Sequence, residues 1–558
     1  MAAASIPRPG SGSDAIELRP IKETNDIGFN EDGSDQARSS ATIDTSEYPS
    51  GWRLIAIVIG LVLSLFIAAL DSTLLTTAIP SITDEFGSIK NIAWYGSAYQ
   101  VTNTAFQPAW GKAYIYFPLK RVFLSSIVVF ELGNVVAALA SNSSIVILGR
   151  VVSGVGGGGV ITGTFIMITV IANPRLRPAY MGIVGVTFGC ASVIGPLLGG
   201  VLTDGPGWRW CFWVNLPIGG VAAVIMFLFF SAPHNPRTEM PIKTRLAHTD
   251  MIGALLVTGA LSSFVMAMHY AGTFSFSSPN IIGSLAGFGV MAVAFVINEY
   301  LMSTKALIQP HLLRKKSILL NLLFSFFIAG VFFPLLYILP VQFQSVNNNS
   351  AAHSGIRMIP LVFGVSVLTM LSNSLLTVWR HFNPLLVFGT LVGTVGVVMI
   401  YTVDAATSNA AWTGFELLTA AGVGIVLQIP MIANHDLVGQ DDIASVTSLT
   451  LFAENVGTAL FVASSEAAFT TGLISSLRTN MPWMNPSTVV DTGVTQLRTV
   501  FKNPSELSGI LQAYLDGCRI SHIVSLGCGV ATIVVSLFGA WPAGVKTLRA
   551  RFKKPHST

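Results

Sequence analysis

LIAIVIGLVLSLFIAALDSTLLTTA, residues 54–78, decides the fold, because its twenty-five residues carry one charge, Asp71. An α-helix needs about 20 apolar residues to cross a hydrocarbon core about 30 Å thick. The same pattern, an apolar run followed by a short polar break, recurs at 93–113, 122–141, 145–171, 179–203, 212–231, 250–271 and 280–303. It continues at 318–343, 357–378, 384–403, 411–433, 447–471 and 522–545. Fourteen transmembrane helices are therefore expected, and the fold class is an all-α membrane protein.

Composition agrees. Hydrophobic residues make up 52% of the 558 residues and charged residues 10%, against about 25% charged in an average soluble domain. The net charge of +4 does not imply a nucleic-acid partner, because the distribution of basic residues explains it. With the N-terminus in the cytosol, 23 of the 31 Lys and Arg fall on cytosolic segments, counting Lys112 at the cytosolic end of the second span. Seven fall outside (Lys90, Arg209, Arg357, Arg478, Arg498, Lys502, Arg519), and Arg150 lies within a span. That bias sets the expected orientation, with both termini cytosolic.

Residues 1–50 are polar and lack an apolar signal-peptide core, so they read as a disordered cytosolic tail. The four cysteines, Cys190, Cys211, Cys518 and Cys528, have no metal-ligand spacing. Two basic linkers, 232–249 and 304–317, bracket spans seven and eight and divide the chain as six, two and six helices. The expected units are a six-helix bundle at 51–231, linkers and two extra helices at 232–317, and a second bundle at 318–545. An external loop at 472–521 and a cytosolic tail at 546–558 complete the division. Amphipathic spacing from Val494 to Leu515 suggests a surface helix within that loop.

Charges inside spans are costly and mark function by default. Asp71 lies about 10 Å below the outer end of its helix, and Arg150 about 8 Å below the outer end of the fourth. Similar depth makes them candidates for a pair or for a shared cavity. Glu131 and Glu454 lie well inside apolar runs and are further candidates for proton coupling. Glu416 sits near the outer end of the twelfth span and His269 near that of the seventh, where a special role is not required. Gly154, Gly156 and Gly159 match GxGxxG, but the strand and the acidic residue of a dinucleotide site are missing. Small residues in a membrane helix instead allow close helix approach. In span five, Gly189, Gly195, Pro196, Gly199 and Gly200 suggest a bendable, tightly packed element. Asn348 and Asn142 stand in N-glycosylation acceptor sequences on outer loops, the latter in a turn close to the membrane.

GCASVIGPLLGG (189–200) resembles the GxxxGPxxGG signature of span five in antiporters of the major facilitator superfamily. LDSTLLTTAIP (70–80), LGRVVSGVGGGG (148–159) and WRWCFWVNLPIGG (208–220) resemble the signatures of spans one, four and six in its fourteen-helix drug:proton antiporter branch. LPVQFQ (339–344), SGIRMIP (354–360) and SLTLFAENVGTAL (448–460) resemble that branch's second half. The loop GKAYIYFPLKR (111–121) keeps Gly111, Lys120 and Arg121, but Ile115 stands where relatives have an acid and Pro118 where they have glycine. The resemblance, strongest to fungal toxin and multidrug efflux carriers, implies a major facilitator fold. It further implies export of a small amphipathic molecule by proton antiport across the plasma membrane or the vacuolar membrane. Such a carrier is not an enzyme, needs no cofactor beyond the proton gradient, and works as a monomer in the lipid bilayer. Two alternatives share the fold, a proton-coupled siderophore–iron importer and a non-transporting nutrient sensor.

Overall fold

The computed structural model describes residues 49–86, 92–173, 176–232, 240–271, 277–378, 382–404, 407–492 and 497–552, and among them it contains helices and no strand. Nearly all of the tail expected to be disordered lies outside these residues. The first bundle comprises α1 (Gly51–Phe86), α2 (Ile92–Tyr116), α3 (Leu119–Ala138), α4 (Ser143–Ile171) and α5 (Arg177–Asp204). It closes with a single turn, α6 (Trp210–Trp213), and α7 (Asn215–Phe229). The inserted section holds α8 (Ile242–Ala247), α9 (Met251–Ala271), α10 (Pro279–Met302) and the turn α11 (Pro310–Leu313).

The second bundle begins with α12 (Lys316–Ser345), α13 (Ala351–Arg357), α14 (Ile359–Val378) and α15 (Phe382–Tyr401). It continues with α16 (Asn409–Val426), α17 (Ile429–Asp436), α18 (Ile443–Asn480), α19 (Pro486–Asp491), α20 (Leu497–Val500) and α21 (Pro504–Phe552). The pairings of the first bundle recur in the second. Helix α1 packs on α5 and α7 as α12 packs on α18 and α21, and α4 packs on α2 and α3 as α16 packs on α14 and α15. The two bundles meet along α5 with α14 and along α2 with α18. Helix α9 lies against both α2 and α18, so the inserted pair flanks the seam between the bundles. Helix α10 buries one residue, Ile281, and otherwise turns apolar side chains outward, as a lipid-facing helix must.

Thirteen helical stretches among the described residues are long and apolar enough to cross a membrane. The expected fourteenth, α2, has the length, with 25 residues or about 37 Å, but not the apolarity. Its Thr102, Asn103, Thr104, Gln107 and Lys112 are buried against neighbouring helices, so interior packing tolerates a polarity that lipid would not. The glycine run of α4 explains the tight three-helix packing here. A Cβ at Gly158 would come within 2.6 Å of the Asn103 carbonyl oxygen on α2, and one at Gly156 within 2.6 Å of Phe130 Cα on α3.

The segment 472–521 differs from the expected loop. Helices α18 and α21 extend into it, leaving 481–503 as the connection, whose described residues include two short helices. Leu473, Leu477, Met481, Val489, Leu497, Ile510 and Tyr514 bury one another there. The amphipathic stretch from Val494 is not one surface helix. Its described part is a single turn at Leu497–Val500, followed from Pro504 by the continuous helix α21.

Candidate functional site

Two charges buried in apolar helices need partners, and each supplies the other's. Arg150 Nη1 donates to Asp71 Oδ2, and the two side chains are 1% and 2% exposed. Neutral groups complete the site. Asn215 Nδ2 donates to the second Asp71 oxygen at 3.2 Å, and Arg150 Nε donates to the Tyr95 carbonyl oxygen at 3.1 Å. The guanidinium carbon lies 4.5 Å from the Tyr99 ring centroid, a cation–π contact strengthened by desolvation. The Tyr99 hydroxyl in turn donates to the Ala68 carbonyl oxygen at 2.8 Å. Four helices, α1, α2, α4 and α7, are thus tied at one buried ion pair.

Glu131 on α3 stands near this network. Both its carboxylate oxygens are shielded and lack a hydrogen-bond partner among the described residues, and a Cβ on Gly219 of α7 would collide with it. Glu454 on α18 belongs to the other bundle and is half-buried. The structure therefore brings Asp71 and Arg150 together, with Glu131 nearby and Glu454 apart.

The glycines of α5 divide into two sets. A Cβ at Gly195 would strike Thr73, with Leu74 N at 3.2 Å, and one at Gly199 would strike Thr77 and the Leu74 carbonyl oxygen, so both hold α5 against α1 within one bundle. Pro196 lies inside the helix. Gly189 instead faces Ser366 of α14 in the other bundle, joined by Gly185, whose Cβ would lie 3.1 Å from Thr369 Cγ2, and Gly182, at 3.0 Å from Met370 Cα. Farther along the same face, Gly200 meets nothing within 4 Å.

Helices α2 and α18 behave alike. Gly111 abuts Ser448, and Gln100 Nε2 donates to Asn455 Oδ1 at 3.1 Å. Asn455 Nδ2 donates to Gln107 Oε1 at 3.3 Å, while Gly96 near the opposite end meets nothing within 4 Å. The bundles therefore touch from the layer nearest the start of α1, at Gly111 and Gly182, up to the middle of the helices, at Gly189 and Gln100, whereas a Cβ at Gly96 or Gly200 meets nothing. Lys112, beside Gly111, is 1% exposed, with Nζ unpartnered among the described residues and the charges of Glu299, Asp250 and Asp442 in range. Lys120 binds within its own bundle, to the Phe227 carbonyl and ring on α7, and Arg121 is exposed.

At the far end Glu85 receives Arg209 Nη2 at 2.7 Å and Trp208 Nε1 at 2.7 Å. These hydrogen bonds hold its carboxyl below the usual carboxylate range. A depressed folded-state value makes the clamp's contribution fully present above the ordinary carboxylate pKa, and lost as pH falls through the folded value. Acid titration of thermal stability is therefore expected to show a loss below the usual carboxylate range that Glu85→Gln removes.

Asn142 caps α4, its Oδ1 accepting from Ile145 N at 3.0 Å, whereas Asn348 is exposed with φ 55°. Gly195→Leu is expected to destabilise the first bundle, as overpacking costs about 1–3 kcal/mol or more, whereas Gly200→Ala leaves stability unchanged. Thermal melting of the purified proteins checks both.

Sequence reading missed Asn215, Tyr95 and Tyr99. Asn215 carried the one available signal, an amide within the run WRWCFWVNLPIGG that opens a strongly apolar helix.

Residues 61–462 match the family model described as Major Facilitator Superfamily. The chain is 37% identical over 497 residues to the "MFS-type transporter grgE" of a Penicillium species, covering 89% of this chain and 88% of that protein. It is 38% identical over 500 residues to the "Probable efflux pump gsfJ" of Penicillium aethiopicum, covering 89% of each. A solved bacterial homologue of the human lysosomal transporter Spinster, in an inward-facing and occupied conformation, aligns with TM-score 0.54 and 15% identity over 88% of this chain and 98% of that one.

Proposed function

The chain belongs to the major facilitator superfamily, and from that premise we propose that it exports small amphipathic organic molecules in exchange for protons. It is a multi-pass membrane transporter and not an enzyme, and fungal relatives are named efflux pumps. The observation that carries the proton-coupled reading is the Asp71–Arg150 pair, a carboxylate buried at the junction of four helices and held by a cation. Proton binding at Asp71 would cancel one charge and release Arg150, changing what these helices are tied to. No GxxxxGK[ST] phosphate-binding motif occurs in the sequence, which favours an ion gradient as the energy source.

In this reading the basic linkers face the cytosol with both termini, and α2 is the remaining span of a 6 + 2 + 6 arrangement. The contacts at Gly111, Gly182, Gly185 and Gly189 then close the cytosolic side, so the chain is outward-facing. Substrate binds between the bundles near the midplane, and rocking of the bundles alternates its access. The carrier works as a monomer in the plasma membrane.

The test loads efflux-deficient yeast cells with a rhodamine dye and follows its loss with and without the expressed chain. Faster loss that stops on collapsing the proton gradient supports export. Gradient-driven uptake of labelled iron–siderophore in its place would replace this reading with import.

A further inference from the structure

The second bundle contains a buried acid–base set that the Asp71–Arg150 site does not use. Glu416 on α16 is 1% exposed, and its Oε1 has no hydrogen-bond partner among the described residues. One turn earlier on the same face, Trp412 is 3% exposed and its Nε1 is also unpartnered. Arg357, the last residue of α13, has a shielded and unpartnered Nη1 and lies within electrostatic range of Glu416. Phe343 of α12 stands between them, its ring centroid 4.9 Å from the Trp412 ring and 5.2 Å from the Arg357 guanidinium carbon.

Among the described residues, no other charge faces Glu416. Helices α14 and α15, which pack on α16, contain no Asp, Glu, Lys, Arg or His. Helix α12 has one basic residue, Lys316, at its opposite end, and α13 adds only His353, which is exposed. His435 and Asp436 of α17 lie at the far end of the α16–α17 span. Three complementary polar atoms on α13 and α16 are therefore shielded without a bond among the described residues. A buried carboxylate in that setting is expected either to hold a proton or to pair with its cation.

The pairing of helices gives the arrangement a place in the cycle. Helix α16 occupies in the second bundle the position of α4, and α14 that of α2. Arg357 stands on a separate turn, since α13 ends at Arg357 and α14 begins at Ile359. Helix α14 is also the one whose middle, from Ser366 to Met370, meets Gly189, Gly185 and Gly182 of α5 across the bundle seam.

We propose that Glu416 is a second proton-carrying site, protonated and apart from Arg357 in the conformation seen here, and ionised and paired with Arg357 when the bundles separate at the Gly189 contact. It rests on the reading of the chain as a proton-coupled carrier and deepens it, assigning one coupling carboxylate to each bundle.

The test is infrared pH titration of the purified full chain in lipid nanodiscs. A protonated-carboxyl band should titrate in the wild type, persist in Asp71→Asn, disappear in Glu416→Gln and move in frequency in Glu416→Asp. Glu416→Asp keeps an ionisable group and serves if Glu416→Gln does not fold. A band unaltered by either substitution overturns the proposal. In proteoliposomes, Glu416→Gln should roughly halve the ratio of proton flux to rhodamine flux, as expected if each of two sites carries one proton. A purely packing role would lower both fluxes together, and an unchanged ratio overturns the proposal. If wild-type vesicles move no protons, the antiport reading fails, and the infrared band alone still decides whether Glu416 holds a proton.

Discussion

Asp71→Asn abolishes gradient-driven export while leaving the chain in the membrane: that is the expected result with the largest effect. The substitution keeps the shape of the side chain and removes its charge, so Arg150 becomes a buried cation facing two amides, its own new neighbour and Asn215. Breaking one side of a buried pair costs about 3–5 kcal/mol, so a loss of thermal stability accompanies the loss of function. The two effects separate in a double-mutant cycle. Arg150→Gln combined with Asp71→Asn should recover part of the stability, because no uncompensated charge remains, yet export should stay at the level of cells lacking the carrier. Arg150→Lys should fall short of wild type, because an ammonium cannot reach Asp71, the Tyr95 carbonyl and the Tyr99 face in one planar geometry. Additive stability losses would mean that the two residues act independently.

Gly189→Leu is the second large effect. Gly189 lies against Ser366 of the opposite bundle, where even a Cβ collides. A leucine there should hold the bundles apart at the middle of the α5–α14 seam, without disturbing the packing of α5 on α1 that Gly195 and Gly199 provide. Turnover is expected to fall by about tenfold or more, with melting temperature close to wild type. Cysteines placed at Gly182 and Met370, whose contact lies two turns along the same seam, should cross-link in the wild type and fail to do so in Gly189→Leu. Undiminished transport would make the contact incidental to the cycle.

The sequence made the Asp71–Arg150 pair readable because charges in apolar spans are rare, and helical rise alone places them at comparable depth. The same logic could not find Tyr95, Tyr99 or Asn215, since neutral polar groups in a span leave no comparable mark. Glycine spacing announced a closely packed α5, but only its rotation about its axis separates Gly195 and Gly199, facing α1, from Gly189, facing α14. Helix α2 was counted among the apolar runs. Its shortage of apolar residues became intelligible only with α4 and α18 packed around it. Glu416 was passed over because nearness to a helix end suggested an interfacial residue, whereas it is 1% exposed and Trp412, one turn earlier, is 3% exposed. The extension of α18 and α21 into 472–521 was obscured by polar composition, although apolar residues there pack on one another.

Simultaneous measurement of proton and dye movement in proteoliposomes tests the central claim most directly. Vesicles holding the purified chain are given a pH gradient, with a pH-sensitive dye inside and a rhodamine outside. The expected result is rhodamine accumulation matched by proton movement in the opposite direction, both lost when the gradient is collapsed and both absent in Asp71→Asn. Rhodamine accumulation that continues after the gradient is collapsed, or that is unaffected by Asp71→Asn, would contradict it.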